Sequence, residues 1–123
     1  SNQLGIKNIV DFKGFMKNPF FTYNAKDTVF VLTSELEGMP NTLIEGLCSG
    51  FLCLSTDCNF GPKEIFQVFD INKKWLYSPG DIESLTSLLK QILSTNYNFE
   101  INYIKGYKAF SSEQYLNNYM QII

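Results

Sequence analysis

The stretch that decides the fold is DTVFVLTSELEGMPNTLIEGLCSGFLCLST, residues 27–56. Its first part, DTVFVLTS, is a continuous apolar run without alternation. That pattern predicts a strand covered on both faces, as in a parallel sheet. A Glu37-Gly38-Met39-Pro40-Asn41 turn follows. Leu43, Ile44, Leu47 and Cys48 then fall on one helical face, and Gly50 makes a natural stop. FLCLST is the next buried strand. The unit is strand, loop, helix, strand, with a connection long enough for a right-handed parallel crossover.

Upstream, NIVDFKG (Asn8 to Gly14) is a β-rich run that predicts a strand, and NPFFTYNAK holds a short helix begun by Asn18-Pro19. Downstream, DCNFGPKEIF is a second Gly-Pro loop leading into a short helix, and KWLYS predicts a strand. GDIESLTSLLKQILS is the clearest helix, capped by Asp81 with Leu85, Leu88, Leu89 and Ile92 inward. YKAFSSEQYLNNYMQII predicts a further amphipathic helix. The whole is an α/β chain with few strands, and the expectation is a truncated one, since its first strand has no helix partner before it.

Composition narrows the function. With 123 residues, eleven Phe and seven Tyr, the chain can build one core, as a domain or part of one. A net charge of −2 and a pI near 5.0 argue against nucleic acid, which wants a basic face. No apolar run approaches a membrane span, and no signal peptide is visible. Cys48, Cys53 and Cys58 match no zinc spacing and predict buried reduced thiols, hence the cytosol. Histidine is absent, which removes any imidazole scheme from this segment. Ser1 and Asn2 read as a cloning remnant.

Two loops, Glu35 to Asn41 and Asp57 to Pro62, each follow a strand and precede a helix. In an open parallel sheet both lie at the carboxyl edge, where ligands bind. Free N–H groups at a helix N-terminus suit phosphate or a sugar hydroxyl. Gly38 permits close approach, Pro40 fixes the helix entry, and Glu45 could accept two hydrogen bonds from a vicinal diol. A plainer account covers each residue singly. Glu45 then favours the helix dipole, Glu37 is a solvated acid, and Gly38, Pro40, Gly61 and Pro62 make turns. Lys63 is then surface charge and Glu64 a first-turn acid.

The order of the whole stretch goes further. Ser34, then Glu37-Gly38-Met39-Pro40-Asn41, Glu45 and Gly50, then Ser55-Thr56-Asp57 and Gly61-Pro62-x-Glu64-Ile65 stand in register with one family's motifs. Together they resemble the donor-binding half of family-4 glycosyltransferases, retaining enzymes of the GT-B fold. Val10, Phe12, Gly14, Asn18 and Pro19 match a further segment of that family, so the likeness covers roughly residues 8 to 90.

The resemblance implies a Rossmann-like parallel sheet flanked by helices, the truncated C-terminal half of a GT-B enzyme, with residues 1–123 a partial nucleotide-sugar-binding domain. It assigns Glu45 to the ribose hydroxyls and Glu37, the catalytic-site acid, to the transferred sugar. Backbone amides of Gly38, Met39, Pro40-Asn41 and Thr42 hold sugar and diphosphate. Gly14 lies near the base, and Gly61 and Pro62 border the cleft. The family's Arg and Lys, which neutralise the leaving diphosphate, are expected upstream of residue 1, as is the acceptor-binding N-terminal domain. No cofactor and no metal are expected; the nucleotide sugar is itself a substrate.

The likeness of STDCNFGPKEI to bacterial surface-glycan transferases implies a UDP-linked hexose or N-acetylhexosamine as donor, and a glycan or lipid-linked acceptor. A cytoplasmic location follows, with peripheral association at the inner membrane face open to the full-length protein and dimerisation open to the fragment. Two alternatives stay open: a non-catalytic nucleotide-sugar-binding module, and a nucleotide-sugar epimerase on the same fold.

Overall fold

A computed structural model of the chain describes residues 3–95 and 103–111. Three parallel strands lie in the order β1 (Val29–Leu32), β2 (Leu52–Thr56), β3 (Leu76–Tyr77). Val29 pairs with Leu52 and Leu32 with Ser55; on the other side Ser55 pairs with Leu76 and Thr56 with Tyr77. The central strand β2 is buried at every position, as the apolar run Phe51–Leu54 that leads it predicts. Its two polar members are satisfied. Ser55 Oγ donates to the Thr56 carbonyl at 3.1 Å, and Thr56 Oγ1 donates to the Ser34 carbonyl at 2.6 Å.

Two crossover helices join the strands: α1 (Asn41–Cys48) and α2 (Pro62–Val68). Leu43 and Leu47, one turn apart, are wholly buried. Each helix ends in the same paired carbonyl cap. After α1, Phe51 N–H reaches the Gly46 carbonyl (3.0 Å) and Gly50 N–H the Leu47 carbonyl (3.1 Å). After α2, Ile71 N–H reaches Phe66 (2.8 Å) and Asp70 N–H reaches Gln67 (3.2 Å). This Schellman closure needs a left-handed residue, supplied by Gly50 at φ +87° and Asp70 at φ +56°. It turns the chain sharply from α1 into β2.

Phe20, from a short 3₁₀ turn at Pro19–Phe21, packs edge-on against Phe30 and Phe51, with ring centroids 5.4 and 5.3 Å apart. It also lies against Gly46, where a Cβ would come within 3.1 Å of its ring. The expected short helix after Asn18-Pro19 is therefore this single turn. Helix α3 (Ile82–Ser94) is capped by Asp81, whose carboxylate accepts Ser84 N–H (2.9 Å) and hydroxyl (2.6 Å). Its Leu85, Leu88, Leu89 and Ile92 pack on the core as expected. Helix α4 (Tyr103–Phe110) lies against α1 and α2, and Phe110 stacks on Phe69 at 5.8 Å. Most of the expected terminal amphipathic helix falls outside the described residues.

Two expectations are corrected. NIVDFKG forms no strand: Lys7–Ile9 is a 3₁₀ turn and residues 10–14 run irregularly with Phe12 exposed. β propensity alone cannot hold a strand, because the ladder must come from a neighbour, and none among the described residues pairs with it. Cys48 is exposed, unlike the buried Cys53 and Cys58. It stands in the last turn of α1, beyond the reach of the core that covers Leu43 and Leu47.

Candidate functional site

The carboxyl ends of the three strands are tied together by hydrogen bonds outside the ladders. Tyr77 hydroxyl donates to the Leu32 carbonyl at 3.0 Å, Asp57 N–H to the Tyr77 carbonyl at 2.7 Å, and Thr56 hydroxyl to Ser34 as above. Because the strands are parallel, the segments that leave β1 and β2 emerge at this one edge. Burial holds the Tyr77 phenol above its ordinary pKa, in the neutral form that donates.

The two loops meet. Gly61 is buried with φ +95°, and a Cβ built on it would lie 2.5 Å from the Gly38 carbonyl oxygen and 2.6 Å from Pro40 Cδ. Only glycine lets the second loop seat against the first. Glu64 then anchors it, its carboxylate accepting Gly61 N–H at 2.9 Å, so Glu64 caps its own helix. Pro62 opens α2 fully buried and Pro40 is buried beside Gly61. Gly38, Pro40, Gly61 and Pro62 are thus brought together as the sequence predicts.

The N-terminus of α1 opens at this junction. Pro40 is the N-cap residue, its carbonyl accepting Leu43 and Ile44 N–H at 3.0 and 3.3 Å, and no side chain caps the turn. The N–H groups of Asn41 and Thr42 precede the first intrahelical donors, and both residues are exposed. Gly38 is also exposed, and a Cβ there would meet nothing within 4 Å. The fold itself does not require glycine at that position.

Glu37 is half-buried in the loop and Glu45 exposed on α1. Neither carboxylate has a hydrogen-bond or ion-pair partner among the described residues. The helix has no acid in its first turn, so Glu45 stands beyond the reach of the dipole that would explain it. Met39 is half-exposed, and Lys63 lies exposed at the start of α2. Gly14 stands apart: at φ +62° on the exposed N-terminal segment, with nothing within 4 Å of a built Cβ, it takes no part in the contacts that join the loops.

Sequence reasoning missed two features here. One is the Thr56–Ser34 bond: both residues stand out as members of the motif order, with no sign that they touch. The other is Phe60, exposed and at φ +69° immediately before Gly61; a bulky aromatic ahead of Gly-Pro was the available signal. Among the described residues no three His, Cys, Asp or Glu gather as metal ligands, and no helix is long and apolar enough to cross a membrane.

A parallel α/β sheet with two loops seated together at its carboxyl edge and an open helix N-terminus beside them has the layout of α/β domains that bind ligands at that edge. Residues 1–109 match the glycosyl transferases group 1, and the chain belongs to that family. It is similar to the lipopolysaccharide 1,6-galactosyltransferase of Salmonella typhimurium, 31% identical over 127 residues, covering 100% of this chain and 35% of that protein. The enzyme of the same name from Escherichia coli K12 is 41% identical over 75 residues, 61% of this chain and 20% of the relative. An uncharacterised glycosyltransferase of Methanocaldococcus jannaschii is 44% identical over 64 residues, 52% of this chain and 16% of the relative. The chain thus spans about a third or less of the length of these relatives. No solved structure gives a significant match.

Proposed function

We propose that the intact gene product transfers a hexose, with galactose the first candidate, from a UDP-sugar to a glycan or lipid-linked acceptor with retention of configuration. Both similar galactosyltransferases act on lipopolysaccharide by name, which supports that sugar and that kind of acceptor. Residues 1–123 would supply part of the donor site. The observation that carries this reading is the junction of the two loops at an uncapped helix N-terminus, with Glu37 before it and Glu45 after it in the chain, both without a partner among the described residues.

In this reading the diphosphate lies against the N–H groups of Gly38, Met39, Asn41 and Thr42, where the helix dipole favours negative charge. Glu45 accepts both ribose hydroxyls, and Glu37 contacts hydroxyls of the transferred sugar. Gly61 and Pro62 brace the cradle from behind. Gly14 borders the base. Transfer passes through an oxocarbenium-like state while charge grows on the leaving diphosphate, so fixed donors there govern the rate. The chain contains no arginine; a bidentate guanidinium on the diphosphate would come from elsewhere in the gene product. The work is metal-independent and is done at the cytoplasmic face of the membrane where lipid-linked glycans are built.

The test is to incubate the intact gene product with UDP-galactose, with and without a lipopolysaccharide-core acceptor. Galactose appearing on the acceptor with release of UDP supports the proposal. Conversion of the sugar nucleotide to its epimer without acceptor would point to an epimerase instead, and binding without turnover to a non-catalytic module.

A further inference from the structure

Phe60 occupies a backbone conformation poorly suited to its side chain. At φ +69° its Cβ crowds the following carbonyl, and a bulky residue there is an outlier. The other non-glycine in this region, Asp70, is of a type that tolerates it and closes α2. Phe60 has no such excuse. The residue is 75% exposed, so burial returns little, and glycine or asparagine would make the same turn at lower cost. Strain of this kind persists where the surroundings impose it, and it clusters at ligand sites. The surroundings here are known: the next residue, Gly61, is pressed against Gly38 and Pro40.

We infer that Phe60 is a specificity residue of the donor site, its ring offering an apolar face to the C–H face of the transferred hexose. This rests on the donor-site reading above. A pyranose has a face of weakly positive C–H groups, which suits the negative face of an aromatic ring. Phe60 directly precedes Gly61, which packs against Gly38, the residue after Glu37 at the proposed sugar end of the cradle. The ribose end is marked by Glu45, farther along α1. Leu36 and Met39, on the loop that Gly61 packs against, are likewise exposed.

The experiment uses the intact gene product as wild type, Phe60→Gly and Phe60→Tyr, with calorimetric titration of UDP and of UDP-galactose and a melting curve for each. Phe60→Gly should raise Tm and leave UDP affinity unchanged. It should weaken UDP-galactose roughly three- to tenfold, the range expected for one lost ring contact. Phe60→Tyr should keep wild-type affinity for both. Unchanged UDP-galactose affinity in Phe60→Gly, equal losses for both ligands, or a fall in Tm would each overturn the inference. Wild type that binds neither ligand would overturn the donor-site reading itself, and so separates the two failures.

Discussion

Gly61 and Gly38 face each other across the loop junction, and the fold treats them oppositely. An alanine at 61 would drive its Cβ to 2.5 Å from a backbone oxygen at a positive φ, so Gly61→Ala should cost about 2–4 kcal/mol. A urea titration checks it as a lowered midpoint. Gly38→Ala meets open space and should leave stability within about 0.5 kcal/mol, yet it should weaken UDP-sugar binding by crowding the cradle. Titration of UDP-galactose alongside the urea curve reads both effects. Glu37 and Glu45 were legible as a pair only through their order among Gly38, Pro40 and Gly50, since spacing alone allows a plain dipole reading. The strained Phe60 was not legible, because φ at a loop residue depends on what the next residue must touch.

At the scale of elements, local signals carried furthest where one segment's own sequence suffices. The apolar run Phe51–Leu54 gave a strand buried on both faces, Gly50 gave the stop of α1, and Asp81 gave the cap of α3. NIVDFKG failed because a ladder is non-local, and no property of Val10 or Phe12 reveals whether a neighbour stands beside them. The α3 cap has a pH consequence. Hydrogen bonds from Ser84 hold the Asp81 carboxyl below its usual pKa of 3.8. A lowered folded pKa means that the stabilisation is full above the unfolded value and is lost as pH falls through the folded one. Thermal melts from about pH 5 down to about pH 2 should show Tm falling in part through this cap. Asp81→Asn, which still accepts Ser84 N–H, should flatten that part of the slope, and an unchanged slope would contradict the cap's share.

For the whole molecule, the 123 residues form a sheet whose edge strand β1 has no partner on its outer side among the described residues. Phe12, Phe15 and Phe21 are also exposed, Phe15 at 95%. Open edges and apolar patches recruit partners, so the isolated chain should self-associate. Sedimentation velocity over a concentration series should show a dimer or larger species, and a monomer throughout would count against it. The isolated chain, about a third or less of the length of its relatives, should also show no sugar transfer, if the acceptor contacts and diphosphate-neutralising cations come from elsewhere in the gene product as proposed. In the proposed donor site Glu45 meets the ribose and Glu37 the sugar, and titration of UDP against the two glutamine variants of the intact gene product separates these roles. Glu45→Gln removes a charge that accepts hydrogen bonds worth about 1.5–3 kcal/mol each, so UDP affinity should fall roughly ten- to a hundredfold, while Glu37→Gln should bind UDP as wild type does. Equal losses in the two variants, or no loss in Glu45→Gln, would contradict the account.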